Sequence, residues 1–470
     1  MKNHLICFIL LLGTNHMFAQ NIHLNSIGYL PDAPKKASIS AQCSEFSVTT
    51  PDGEPVFSGK TSGPHHQEDV NQNVWIADFS DLNQTGAFVL EVAGVGTSAE
   101  FQIAEDVYNF PFYTSMRAMY LWRCGTAVEG EFKGDVFKHE ACHLDDAYMD
   151  YIGEDGVIRD GIGGWHDAGD YGKYTVNAGI TVAAMFYAWD HFQDKLKDYD
   201  FDLPETAPGY PDFLKEMKWE IDWLLKMPFP DGSGRVSHKL TRTNFSGFVM
   251  PEDDDGKRYF TDWSSAATAD FVAMMAMAAR YFQPYDAEYA QTCLDAATLS
   301  YAYLQAHPED KRWEQGDFQT GAYGTSDPDD RMWAAAELWE TTGDSKYLQD
   351  LETRIREYQP RRRRGEAAPS ETYKVDADWD WGNVRNLAVF TYVLSEHEGR
   401  DPELLAEVKN DIVAVADQIV EQALTDVYGR PLQRYYWGCN GTIARQVINL
   451  QVANTIEPKQ EYIDTALDAI

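Results

Sequence analysis

The sequence is short of basic side chains. Lysine and arginine together number 39 against 75 aspartates and glutamates, which gives a formal net charge of −36. Nucleic acids and anionic membranes both attract proteins through lysine and arginine, so this imbalance argues against either partner and against a polyanionic substrate. A neutral polymer is compatible with the charge, although solubility in a salty extracellular medium is its simpler explanation.

Cysteine is also scarce, and long apolar runs are limited to the N-terminus. Residues 1–20 (MKNHLICFILLLGTNHMFAQ) join a positive charge to an apolar run too short to span a bilayer, which predicts a signal peptide removed near residue 20. We therefore expect a soluble, secreted or periplasmic protein. Five cysteines follow this segment, and an odd number makes a poor disulfide framework: Cys43, Cys124, Cys142, Cys293 and Cys439.

Two regions of different pattern make up the rest of the chain. Short alternating segments separated by turn residues over 21–105 predict an antiparallel β-sandwich. Amphipathic patterns of helical period dominate 106–470. They predict helices near 110–124, 174–196, 211–227, 265–281, 285–306, 328–341, 344–357, 381–396, 402–424, 441–455 and 459–470. The long connections 125–173 and 228–264 are expected to be functional loops.

The densest polar segment lies at the end of the first long connection. Residues 161–174 (GIGGWHDAGDYGKY) place Asp167 and Asp170 three positions apart, just before a predicted helix. The helix dipole and free N–H groups favour ionised carboxylates at such a position, and a general base must be ionised to accept a proton from water. From these residues alone, a capping role for Asp170 and a loop role for Asp167 remain open.

Several motifs occur in a specific order along the chain. Residues 163–174 (GGWHDAGDYGKY) resemble the active-site stretch of the family 9 glycoside hydrolases, which include many bacterial and plant cellulases. Residues 25–31 (NSIGYLP) resemble the start of the immunoglobulin-like module that precedes many of these catalytic domains. Further matches are 123–127 (RCGTA), 141–147 (ACHLDDA), 238–241 (HKLT), 266–271 (AATADF), 331–338 (RMWAAAEL) and 436–440 (YWGCN).

The resemblance implies a fold and a reaction. The fold is an immunoglobulin-like β-sandwich followed by a six-hairpin (α/α)6 barrel, and the reaction is hydrolysis of β-1,4-glucosidic bonds in cellulose or related β-glucans with inversion. Inversion uses one carboxylate to activate water and one carboxylic acid to protonate the leaving oxygen. By motif position, Asp170 is the expected base and Asp167 its partner in holding the water.

The family's general acid, a glutamate near the C-terminus, has no match in the chain. The last predicted helix, 459–470, has no glycine cap, basic last turn or proline stop. We therefore expect a truncated barrel that lacks its C-terminal part. Two alternatives to an endo-acting enzyme follow: a catalytically impaired glucan-binding protein, and an exo-acting β-glycosidase on oligosaccharides.

A structural metal site is expected in the first long connection. Cys124, Cys142, His143 and His166 form a Cys2His2 set, and zinc favours tetrahedral sites of thiolate and imidazole. Spacing alone leaves a Cys124–Cys142 disulfide equally open. The resemblance implies zinc, because family 9 enzymes with the immunoglobulin-like module carry zinc at matching positions.

The remaining expectations concern calcium and substrate. Asp327, Asp329 and Asp330 lie in an oxygen-rich loop that suits calcium, as the family resemblance also implies, although helix capping explains this loop equally well. We expect no organic cofactor and a monomeric protein that binds a β-glucan. The side chains expected to contact sugar are Trp313, Trp381, Tyr436 and His238, with Trp165, Trp263 and Trp437 as further aromatic candidates.

Overall fold

In a computed structural model of the protein, residues 21–205, 209–358, 373–432 and 435–469 are described. They divide into two compact units: one runs to Tyr108 and includes Asp426–Tyr428, and the other comprises Asn109–Thr425 and the chain from Gly429 onwards. The predicted signal peptide, residues 1–20, lies outside the described residues. Among the described residues, no helix has both the length and the apolar character needed to cross a membrane.

The first unit is a β-sandwich, as predicted. One sheet has the strand order β1-β2-β6-β5, and the other has the order β4-β3-β7-β8 with β9 also paired to β7. Alternate side chains such as Val48 and Leu90 are fully buried between the sheets. The strands are β1 (Ile22–His23), β2 (Lys36–Ile39), β3 (Glu45–Thr49), β4 (Pro55–Lys60), β5 (Ser62–Gln67), β6 (Gln72–Asp78), β7 (Gly86–Val92), β8 (Gly96–Thr97) and β9 (Phe101–Ile103).

The second unit is mainly helical, and each of the predicted helices is confirmed with ends that differ by a few residues. Local signals set several of these ends: the Ser264 and Asp286 side chains accept hydrogen bonds at two helix starts, and Gly343 ends a helix in the left-handed conformation. The helices are α1 (Asn109–Leu121), α2 (Thr175–Leu196), α3 (Asp212–Leu224), α4 (Ser265–Phe282), α5 (Ala287–Ala306), α6 (Pro328–Thr342), α7 (Ser345–Glu357), α8 (Arg385–Leu394), α9 (Pro402–Thr425), α10 (Cys439–Ile456) and α11 (Gln460–Asp468).

The helices alternate between inner and outer positions. Every residue of α4 from Ser265 to Ala279 is buried, and α4 packs against α2 and α6, which in turn packs against α8. By contrast, α5 buries one face, through residues such as Ala290, Cys293 and Ala297. Helices that are buried all round form the core of such a domain, whereas one-faced helices cover it.

The two long connections are not structureless, which corrects the sequence-based expectation. They contain a hairpin and contribute four strands to a five-stranded sheet of order β13-β12-β16-β15-β14. These strands are short, and β13 is exposed throughout, so no alternating pattern marks them in the sequence. The strands are β10 (Val128–Phe132), β11 (Asp135–His139), β12 (Tyr148–Met149), β13 (Glu154–Ile158), β14 (Lys173–Tyr174), β15 (Lys239–Thr241) and β16 (Tyr259–Phe260).

Candidate active site

Asp167 and Asp170 lie on one tight loop between the glycine-rich segment and β14. The Asp167 amide donates to the Gly172 carbonyl oxygen at 2.9 Å, which closes the loop, and Tyr171 adopts a positive φ of 52° within it. The Asp170 side chain accepts from the Gly172 amide at 3.1 Å. Because α2 begins only at Thr175 after Tyr174 as its N-cap, Asp170 does not cap this helix.

Each carboxylate receives a hydrogen bond from a different tyrosine. The Tyr174 hydroxyl donates to Asp170 Oδ2 at 2.5 Å, and the Tyr323 hydroxyl donates to Asp167 Oδ2 at 2.7 Å. The two tyrosine rings meet edge to face, with centroids 4.7 Å apart. Asn177 of α2 donates to the other oxygen of Asp167. These donors hold both carboxylates in fixed orientations.

The two carboxylates also differ in their electrostatic surroundings. Burial raises the pKa of Asp167 above its usual range, and the nearby charge of Asp170 adds to this rise, whereas the hydrogen bonds from Tyr323 and Asn177 lower it. Burial raises the pKa of Tyr174 as well, with the Asp170 charge as a further cause, so its hydroxyl stays a donor. Asp170 itself is 8% exposed.

Lys239 connects this loop to the segment that carries Tyr323. Its ammonium group is buried and donates to the Gly321 carbonyl oxygen at 2.6 Å, while the Gly321 amide donates to the Tyr174 hydroxyl at 3.1 Å. Burial lowers the pKa of Lys239 to about 7, and the Asp170 charge opposes this shift. Thus the hydroxyl that holds Asp170 is itself held by a backbone segment that Lys239 anchors.

Trp313 and His238 form a stacked pair. Their ring centroids are 4.9 Å apart and the planes are within 4° of parallel. His238 is 1% exposed, and its two ring nitrogens lie 2.8 Å from the Ser264 hydroxyl and 2.7 Å from the Ala322 carbonyl oxygen. His238 therefore supports Trp313 from the protein interior and has no ring nitrogen left for a sugar, contrary to the expectation of a direct contact.

Trp313 also lines a groove. The groove has a volume of about 600 Å³. Its other lining residues are polar and charged, and such side chains suit the hydroxyl groups of a carbohydrate. They are Asp262, Asp310, Lys311, Arg312 and Glu314.

The other aromatic candidates occupy different positions. Trp381 meets Tyr323 edge to face with centroids 5.0 Å apart, so it lies close to the carboxylate pair. Tyr436 donates from its hydroxyl to Asp378 at 2.6 Å, in the segment that precedes Trp381. Trp165, a further aromatic candidate, is buried, and its indole N–H donates to Glu216 at 2.8 Å.

The predicted Cys2His2 set comes together. One ligand atom from each of Cys124, Cys142, His143 and His166 lies within 4.8 Å of all the others, and all four side chains are buried. The described cysteines are free, so Cys124 and Cys142 form no disulfide.

Distances within the set fit a tetrahedral zinc ion. Zinc at about 2.3 Å from sulfur and about 2.0–2.1 Å from nitrogen spaces its ligand atoms by roughly 3.3–3.8 Å. Cys124 Sγ lies 3.5 Å from His143 Nδ1, Cys142 Sγ lies 3.8 Å from His166 Nε2, and the two imidazole nitrogens are 3.3 Å apart. The donor set and its spacing therefore fit zinc.

Backbone pairing positions this set beside the carboxylate loop. The Cys124 amide donates to the Gly164 carbonyl oxygen at 2.8 Å, and the His166 amide donates to the Trp122 carbonyl oxygen at 2.9 Å. His143 Nε2 lies 3.2 Å from Asp254, an orientation typical of a metal-bound histidine. Since Asp167 directly follows His166, the set fixes one end of the loop.

The expected calcium ligands do not meet at one point. Asp327 accepts from Arg331 at 2.6 Å, and Asp329 accepts from the Val384 amide at 2.8 Å. Asp330 instead faces Asp270 of α4, and burial raises the pKa of both carboxyls well above the usual range, so the pair retains a proton. Among the described residues, the Cys2His2 set is the only group of three or more such ligands close enough to hold a metal ion.

Comparisons with known proteins identify the family. The model of the family described as "Glycosyl hydrolase family 9" matches residues 108–470, and that of the "Cellulase N-terminal ig-like domain" matches residues 18–97. Endoglucanase D of Acetivibrio thermocellus is 50% identical over 97% of this chain and 71% of its own length. A cellodextrinase of Butyrivibrio fibrisolvens is 33% identical over 96% of this chain and 82% of its own length.

Solved structures show the same likeness. A metagenome-derived glycoside hydrolase family 9 endoglucanase has a TM-score of 0.85 and 31% identity, over 95% of this chain and 82% of that one. A zinc-binding triple mutant of a family 9 endoglucanase has a TM-score of 0.84 and 31% identity, over 94% and 81% of the two chains. The protein is thus a glycoside hydrolase with an (α/α) barrel fold. It belongs to glycosyl hydrolase family 9, with a cellulase-type immunoglobulin-like domain at its N-terminal side.

Proposed function

We propose that the protein hydrolyses β-1,4-glucosidic bonds in cellulose or related β-glucans, with inversion, as an exported monomer. One observation carries the reaction: two carboxylates share one short loop, and each is held by a hydroxyl from a different tyrosine. The activities named for the relatives, endoglucanase and cellodextrinase, support a β-glucan as substrate. The pattern of residues 1–20 supports export.

Asp170 is the general base in this proposal. The Tyr174 hydroxyl and the Gly172 amide donate hydrogen bonds to its carboxylate oxygens and fix their orientation. It accepts a proton from the water that attacks the anomeric carbon, and the C–O bond to the leaving sugar breaks. Asp167, held by Tyr323 and Asn177, orients the same water.

Inversion also requires a carboxylic acid on the other side of the bond, which protonates the leaving oxygen. We assign no side chain of the described residues to that role. Sugar rings stack on Trp313 and Trp381, and the partly exposed ring of Tyr436 contacts a neighbouring sugar. His238 supports the Trp313 ring from beneath, because its own nitrogens are engaged.

Zinc held by Cys124, Cys142, His143 and His166 has a structural role in this proposal. Four protein ligands close a tetrahedral site and leave no position for a substrate. The ion would join the segment around Cys124 to that around His166 and so restrict the carboxylate loop. The fit of the ligand spacing supports this assignment, as does the solved relative described as zinc-binding.

Asp170→Asn tests the reaction. We expect reducing-sugar release from carboxymethyl cellulose to fall by about two to four orders of magnitude, with the melting temperature and glucan binding retained. Asp155→Asn, at an exposed position of β13, is the matched control and should be fully active. Undiminished turnover by Asp170→Asn would exclude Asp170 as the base.

Two outcomes would favour the alternatives. Glucan binding by the wild-type chain without any hydrolysis would indicate a binding protein. Release of short products only from chain ends, seen by profiling products of a long soluble glucan, would indicate an exo-acting enzyme.

A further inference from the structure

A cluster of exposed apolar side chains lies on the loop 244–250 (NFSGFVM). Phe248 is fully exposed, at 111% of its reference surface, Phe245 is 60% exposed and Met250 is 47% exposed. A single exposed apolar side chain is ordinary, but several together on one loop mark a binding surface. Exposure of these apolar side chains to water is unfavourable, and contact with a ligand would remove this cost in free energy.

The loop is attached to the carboxylate loop on one side. Tyr171 donates from its hydroxyl to the Val249 carbonyl oxygen, and the Ser246 hydroxyl donates to the Asp170 carbonyl oxygen at 3.4 Å. Arg258, which follows the apolar residues in the chain, donates to the Tyr171 carbonyl oxygen at 2.6 Å. These bonds place Phe245 and Phe248 on a segment directly adjoining Asp170 and Tyr171.

The loop is attached on its other side to the segment that leads to Tyr323. The Gln319 amide donates to the Thr243 carbonyl oxygen at 2.7 Å, and the Thr320 hydroxyl lies 3.3 Å from the Arg242 carbonyl oxygen. The same segment carries the hydroxyl that holds Asp167. The apolar loop therefore adjoins both segments that orient the carboxylates and is continuous with the candidate active site.

The geometry points to Phe245 and Phe248 as an aromatic platform for a sugar unit of the β-glucan beside the scissile bond. This role depends on the proposed function, because only a polymer bound at Asp170 would run past the loop. The flat C–H face of a β-linked glucose unit matches the face of a phenyl ring, whose π-electrons attract such edges. A glucan that extends beyond the cleaved bond would cover the phenyl rings.

Binding of soluble hydroxyethyl cellulose in affinity electrophoresis, together with KM and kcat on the same polymer, tests the platform. Phe248→Ala should weaken binding and raise KM by about ten-fold, the size expected for a central aromatic contact, with a smaller change in kcat. Phe248→Tyr should restore both values, whereas Phe248→Leu should not, because an aliphatic side chain has no flat face. Phe192→Ala, at another exposed phenylalanine, should behave as wild type.

Three results would overturn the platform. Unchanged affinity and KM in both Phe245→Ala and Phe248→Ala, with wild-type hydrolysis intact, would remove these residues from substrate binding. Full rescue by Phe248→Leu would replace ring stacking by a general apolar contact. A wild-type dimer that Phe248→Ala converts to a monomer in sedimentation would show that a second copy of the chain covers the loop. Failure of the proposed function differs from all three, because the wild type itself would then hydrolyse no glucan.

Discussion

His166 and Asp167 are consecutive residues with opposite surroundings. His166 closes a buried set of two sulfur and two nitrogen donors, all from the protein. Asp167 turns to a tyrosine hydroxyl and an asparagine amide, on a loop that adjoins aromatic side chains. One short segment thus contributes a donor to the candidate metal site and, at the next position, a carboxylate to the candidate active site.

Loss of the proposed zinc site should have the largest effect on stability and activity. Cys142→Ser, or a strong chelator added to the wild type, should lower the melting temperature by on the order of 10 °C and reduce hydrolysis, because the proposed zinc ion would stabilise the fold and restrain the loop of Asp167. Cys293→Ser, at a buried free thiol of α5, is the matched control. Elemental analysis without zinc, combined with an unchanged melting curve, would refute the metal assignment.

Removing the Tyr174 hydroxyl, which donates to Asp170, should have the next largest effect on activity. Tyr174→Phe deletes the donor to Asp170, and a hydrogen bond to a charged group is worth about 1.5–3 kcal/mol. We expect kcat to fall about 10- to 100-fold at an unchanged melting temperature. Tyr303→Phe, on α5, should keep wild-type kcat, and an equal loss in both variants would exclude a specific role for Tyr174.

Removing a stacking ring should affect substrate binding more than turnover. Trp313→Ala should raise KM by about 5- to 30-fold, since a buried aromatic contact contributes about 1–2 kcal/mol. Initial-rate measurements over a range of glucan concentrations would separate KM from kcat. A loss confined to kcat would place Trp313 outside the binding groove.

The last prediction concerns the charge of Lys239 and is measured in stability, not in activity. Its pKa of about 7 in the folded protein lies below the 10.5 of an exposed lysine, so between these values the unfolded chain binds a proton that the native state has lost. The free energy of unfolding therefore gains up to about 1.4 kcal/mol per pH unit from this residue as the pH rises through that window.

Lys239→Met removes this contribution. Urea denaturation at pH 7.5 and 9.5 should show the stability of the wild type rising relative to the variant. Lys138→Met, at an exposed position, should show no such difference. If the stability of wild type and of Lys239→Met changed equally with pH, the lowered pKa of Lys239 would be contradicted.

Local patterns were sufficient for much of the fold. The helical period of three to four residues depends on neighbours along one face, which is why α4, α6 and α9 were predicted close to their observed ends. The sandwich strands alternate in burial, so they too were recognisable. The metal set was predicted from its family motif, and the structure brings all four side chains together.

Contacts between distant residues were not predictable in this way. Tyr323 reaches Asp167 across 156 positions, and no local pattern marks Tyr323 as a partner. Asp330, expected at a calcium site, faces Asp270 on another helix, because helix packing decides which side chains become neighbours. The His238 ring lies under Trp313 for the same reason.

The sequence by itself determined the order of the sandwich strands and the helices, the residue types of the carboxylate loop and the donors of the candidate metal set, because these depend on local pattern and side-chain chemistry. Only the tertiary structure decided which hydroxyls hold the carboxylates, how the short strands pair and which aromatic rings face solvent, because those contacts form when segments far apart in the chain pack together.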